Sequence, residues 1–157
     1  MSCPLKIENQ SLILGLLAGA VLTWAHMESY KSTKKSNTLP IRAPGNKAWR
    51  MSKWIKHGGI IHTQGLCGDF SKMPGSSVAQ QTEEALEKLD EILKLAGVER
   101  KNLLTVTIFL EDMKDFDEMN SVYDKWVDPA GLPTRLCVQA GTHGAKVEIL
   151  AEAYYDE

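Results

Sequence analysis

Cysteine is scarce in this chain, and the three present, Cys3, Cys67 and Cys137, are too few and too scattered for a disulfide framework. No C-x-x-C pair offers a zinc site, and His57, His62 and His143 do not fall at metal-ligand spacing, so no metal is expected. Positive charge is not in excess either. The formal net charge of -2 gives no support to a nucleic-acid-binding face, which needs a marked basic surplus. Internal repeats are absent. What remains, 157 residues that are 43% hydrophobic and 24% charged, fits one ordinary globular domain with some sequence to spare.

The spare sequence is N-terminal. Ser11 to Ala25 carries no charge, yet its roughly 15 apolar-leaning residues fall short of the 20 or so that a membrane span needs. The length suits a signal-peptide core, but only Lys6 against Glu8 precedes it, and Thr23-Trp24-Ala25 is a mediocre cleavage site. Lys31, Lys34 and Lys35 follow the run. If the run is an anchor, they hold the main domain on the cytoplasmic side. A mitochondrial presequence should be arginine-rich and amphipathic, and this segment is neither, which ranks that reading lower. An N-terminal membrane anchor, or a leader dispensed with by starting at Met27, ranks above secretion. A helix packed on another surface also fits. Residues 1–38 are therefore set apart as an apolar segment with a polar linker, and residues 39–157 as the main domain.

Within that domain the linker leads into a first edge strand. Trp49 to His57 alternates loosely, Gly58-Gly59 is a tight-turn signal, and Ile60 to Leu66 reads as the next strand, with Gly65 marking a bulge or close approach. From Ser77 the period changes to that of a helix. Val78, Ala85, Leu86, Leu89, Ile92, Leu93 and Ala96 share one face, with Ser76 or Ser77 as cap and Gly97 as terminator. Leu103 to Leu110 is a β-branched strand, and a second helix is expected from about Lys114 to Val127. Its stripe of Phe116, Met119, Tyr123, Trp126 and Val127 includes Asn120, an amide that must bond to its surroundings or line a polar cleft. Lys146 to Tyr155 closes the chain, with Val147, Ile149, Ala151 and Ala153 on one face and Glu148, Leu150 and Glu152 on the other. The order β-β-β-α-β-α-β-β implies an α+β fold, a mixed sheet with two helices on one face. The other face needs cover, which a second subunit can supply.

Chemistry concentrates in Leu132 to Gln139, L-P-T-R-L-C-V-Q. Pro133 suits a strand entrance. Beyond it Arg135, Cys137 and Gln139 face one way, and Leu136, Val138 and Ala140 the other. A guanidinium is a planar fork matched to a carboxylate or phosphate. A structural ion pair or a solvated strand face has the same sequence pattern.

D-M-K-D-F-D-E-M-N-S-V-Y, then P-T-R-L-C-V, then V-E-I resemble the Rid (YjgF) family, also called L-PSP endoribonucleases. G-G-I-I-H-T-Q-G-L and the Q-T-x-x-A-L-x-x-L-x-x-I-L-x-x-A-G helix fit the same pattern, which spans roughly Leu39 to Tyr155. The resemblance implies a chorismate-mutase-like fold, a homotrimer with clefts between subunits, and no cofactor. It further implies hydrolysis of enamines and imines to 2-keto acids and ammonia, as in reactive intermediate deaminase A. By the same resemblance Arg135 clamps the substrate carboxylate and Glu148 serves the hydrolytic water. Asn120 supports the cleft, Cys137 contacts ligand through its backbone, and Gly65 admits the ligand. Gln64 stands where the family has serine. The expected first-strand tyrosine has no clear counterpart, Trp49 and Met51 being nearest, and the loop after Gly65 lacks the usual proline. These departures keep open a non-catalytic ligand-binding trimer, a 2-keto-acid sensor using Arg135. Ribonuclease activity ranks below both, for want of paired histidines or a basic groove.

Overall fold

The computed structural model describes residues 39–43, 50–73 and 75–156. Ser11–Ala25 and Trp49 lie outside them. The elements are β1 (Ile41–Arg42), β2 (Trp54–His57), β3 (Ile60–Thr63), β4 (Leu66–Cys67), α1 (Val78–Ala96), β5 (Leu103–Leu110), α2 (Phe116–Trp126), β6 (Thr134–Gln139) and β7 (Val147–Tyr154). Short 3-10 turns at Arg100–Asn102 and Met113–Asp115 introduce β5 and α2. The sheet runs β1-β2-β3-β7-β5-β6, with β4 also paired to β7. β5 and β6 are parallel and the other pairs antiparallel, so the sheet is mixed. No helix among the described residues is long and apolar enough to cross a membrane.

Local chemistry accounts for the boundaries. Gly58 and Gly59 hold φ of +58° and +78°, the double positive φ that a two-residue hairpin turn requires. The single strand expected over Ile60 to Leu66 is instead two, β3 and β4, separated by a bulge. His62 stands opposite Glu152 and Leu66 opposite Ile149, so residues 63–65 face only 150–151. The ladder gives way because Thr63 Oγ1, not a carbonyl, accepts the Ala151 amide, while the Gln64 amide turns away to the Lys53 carbonyl. Helix α1 starts in a capping box between Ser77 and Gln80 and ends at Gly97 with φ +77°. Ser77→Ala removes the acceptor for the Gln80 amide, so the unfolding midpoint in denaturant should fall by the equivalent of about 1 kcal/mol with an unchanged slope.

The core lies between the helices and one sheet face. Val147, Ile149, Ala151 and Ala153 of β7 and Val106, Ile108 and Leu110 of β5 are buried against Leu86, Leu89 and Leu93 of α1 and Met119 and Tyr123 of α2. Buried Gln81 joins the layers, its side-chain oxygen accepting the Lys146 amide at 2.7 Å. The opposite face carries Glu148, Leu150 and Glu152 of β7, Thr107 and Phe109 of β5, and Leu136 and Val138 of β6, none of them buried. Leu136 is 56% exposed, an apolar side chain left uncovered on an edge strand.

Candidate functional site

The residues singled out in the sequence form two clusters, not one. The first is built by α2 and β6. Phe116, Met119, Asn120 and Tyr123 recur at i, i+3, i+4 and i+7, so they form one stripe of the helix. Arg135 lies in register with Val106 on the helix-covered face of the sheet and meets this stripe. Its guanidinium carbon is 4.5 Å from the Tyr123 ring centroid and 5.9 Å from that of Phe116. Asn120 Oδ1 accepts a 2.6 Å bond from Nη2, and the Met119 sulfur lies 3.6 Å from the same nitrogen. That contact answers where the Asn120 amide bonds. One nitrogen is thus tethered and the plane is clamped on aromatics, while the exposed remainder of the fork keeps donors for a carboxylate. Cys137, two residues on, lies in register with Ile108 on the same face. Burial raises its thiol above the ordinary range, although Arg135 pulls the other way.

The second cluster sits at the bulge. Cys67 pairs with Glu148 on the open face, and Gly65 lies so close to the Glu148 carboxylate that a Cβ there would collide with it. Lys88 Nζ donates to the carbonyls of Cys67 at 2.7 Å and Gly68 at 3.0 Å, pinning β4 to α1. Burial, reinforced by Glu148 and partly offset by Lys88, pushes the Cys67 thiol up to about 11. Both thiols are therefore protonated at neutral pH and neither is an activated nucleophile. The side-chain oxygen of Gln64, beside Gly65, is buried and has no hydrogen-bond partner among the described residues. A cavity of about 480 Å³ opens here, between β1, residues 50–52 and the β2–β3 hairpin.

Arg135 and Glu148 of one chain could reach the same ligand only if their strands were neighbours. β6 and β7 are not neighbours: β5 lies between them. Arg135 also points to the helix side, whereas Glu148 pairs with Phe109 on the open side. Within a single chain the structure groups Arg135 with Asn120 and Cys137, and Glu148 with Gly65 and Gln64. Among the described residues no group of three or more His, Cys, Asp or Glu side chains is placed to hold a metal ion.

Gly65→Ala tests the second cluster directly. The new methyl group forces the Glu148 carboxylate to move without touching the core, so stability should hold while any reaction using Glu148 slows by roughly tenfold or more. Unfolding curves and single-turnover rates on the variant separate the two effects. Sequence reasoning missed Arg42, Arg50 and His62, which line the cavity. As isolated polar residues of short strands and a loop they carry no periodic signal.

Comparison with known proteins agrees with this architecture. The family model described as Endoribonuclease L-PSP matches residues 41–155. The mitochondrial protein mmf2 of Schizosaccharomyces pombe is 36% identical over 121 residues, covering 73% of this chain and 90% of that protein. The chloroplastic reactive intermediate deaminase A of Arabidopsis thaliana is 32% identical over 126 residues, 77% of this chain and 66% of its own length. In three dimensions a YjgF-family crystal structure from Neisseria meningitidis superposes with a TM-score of 0.67 at 29% identity, covering 76% of this chain and 97% of the other.

Proposed function

This chain belongs to the endoribonuclease L-PSP family, in which the reactive intermediate deaminase A and YjgF proteins fall, and from that premise we propose that it hydrolyses 2-imino acids to 2-keto acids and ammonia. The observation that carries the reading is the division of the site into two halves. Arg135 with Asn120 offers a held, forked cation on one side of the sheet edge, and Glu148 with Gly65 offers a carboxylate and room on the other. Each half is incomplete alone. A second copy docked on the open face would set the Glu148 half of one chain against the Arg135 half of another, and a closed ring of three such contacts is the assembly proposed. The exposed Leu136 would then be covered.

The chemistry needs little more. Arg135 anchors the substrate carboxylate through two parallel bonds, which fixes the imine carbon in place. Water adds to that carbon, Glu148 takes the proton it sheds, and the proton passes to nitrogen. The hydroxyl of the resulting carbinolamine then gives its proton to the nitrogen, and cleavage of the C–N bond releases ammonia as the carbonyl forms. Arg135→Lys keeps the charge and loses the fork, so kcat/KM should fall by several-fold to about a hundredfold, equivalent to roughly 1–3 kcal/mol of lost binding. The assay generates 2-iminopropionate with an amino-acid oxidase and follows keto-acid release with and without the protein.

Gln64, in place of the family's serine, favours a second reading, a 2-keto-acid sensor. A wild-type protein that accelerates no imine hydrolysis, yet binds 2-keto acids through Arg135, would decide for the sensor.

A further inference from the structure

The cavity beside Gly65 carries a charge that the hydrolysis itself does not use. Arg42 reaches it from β1, Arg50 and Met51 from the loop before β2, and Ile55, His62 and Gln64 from the hairpin. Among the described residues no carboxylate lines it and neither arginine takes part in an ion pair. Of the carboxylates nearby, Glu152 is engaged by His62 Nδ1 at 2.9 Å, and Glu148 lies past Gly65. Arg50 holds φ of +59°, a left-handed conformation that is costly for any residue but glycine. Two guanidiniums lining one cavity repel each other unless an anion sits between them. Gln64, the residue before Gly65, also lines the cavity, and its buried side-chain oxygen has no hydrogen-bond partner among the described residues.

We propose that this cavity is a second anion subsite, in which Arg42 and Arg50 grip the side-chain carboxylate of a dicarboxylic 2-imino acid. The proposal rests on the imine-hydrolysis reading above and narrows its substrate class. The substrate would place its reacting carbon before Glu148 and its second carboxylate between the two arginines. Met51 and Ile55 would pack on the intervening methylenes.

The test compares 2-iminoglutarate with 2-iminopropionate, each generated in situ by an amino-acid oxidase, on the full chain and its Arg42→Ala/Arg50→Ala variant. Both side chains are exposed, so the variant should fold. The wild type should favour the dicarboxylic imine in kcat/KM, and the variant should lose roughly tenfold or more of that preference. Calorimetric titration with 2-ketoglutarate and with pyruvate gives a readout that does not depend on turnover. Tighter binding of 2-ketoglutarate that disappears in the variant supports the subsite even if no imine is hydrolysed. A wild type that hydrolyses 2-iminopropionate but shows no dicarboxylate preference in either measurement overturns the subsite and leaves the deaminase reading standing. A preference that survives in the variant overturns it equally.

Discussion

Replacing Glu148 with glutamine is expected to reduce kcat for imine hydrolysis by roughly 10²–10⁴-fold, the usual contribution of a positioned proton acceptor. The amide keeps the size and shape of the side chain beside Gly65, so the cleft should not collapse. It cannot accept the proton that water sheds as it adds to the imine carbon. Affinity for 2-keto acids should stay within a few-fold of wild type, because in the proposed cleft the carboxylate grip belongs to Arg135. The contrast with Arg135→Lys, which should weaken binding as well as turnover, is the diagnostic. Burst-phase or single-turnover rates with pre-formed imine measure the chemical step apart from product release. If Glu148→Gln retains wild-type kcat, the proton acceptor lies elsewhere and the mechanism is wrong. If it loses ligand binding as completely as it loses turnover, Glu148 is a binding group and the division of labour fails.

Much of this architecture is legible residue by residue. Ser77 and Gly97 bound α1 because a cap and a left-handed terminator are local requirements. The Gly58-Gly59 hairpin and the strict alternation of β7 follow from the same kind of rule, since each is set by neighbours in sequence. The split of the Ile60–Leu66 strand is less accessible. Gly65 signals an irregularity, but the bulge depends on Thr63 bonding to Ala151, a partner far along the chain. The relation between Arg135 and Glu148 is harder still. Their strands are consecutive, and consecutive strands usually adjoin, yet β7 inserts between β3 and β5 and leaves β6 at the edge. Alternation gave each residue's parity correctly but could not say that the apolar partners of Arg135 and of Glu148 line opposite faces. Arg42 and Arg50 meet at one cavity only through tertiary folding.

Mixing two crippled variants should restore activity. Purified Arg135→Ala, which lacks the guanidinium altogether, and Glu148→Gln proteins are combined in equal amounts, dissociated mildly and allowed to reassemble. If every cleft takes its arginine from one subunit and its glutamate from the next, random exchange gives both wild-type groups to a cleft with probability one half times one half. Activity should then recover to about one quarter of the wild-type level, whatever the number of subunits in the ring. The structure motivates this outcome because Arg135 and Glu148 lie on opposite faces of one sheet, separated by β5. A site formed within a single chain predicts no recovery at all, since every such site keeps one defect. Recovery should also depend on exchange: the same proteins mixed without dissociation should regain activity only as slowly as subunits swap. Masses from light scattering, taken on the same samples, confirm that the variants assemble like the wild type. A mixture that exchanges subunits freely yet stays inactive would exclude the shared cleft.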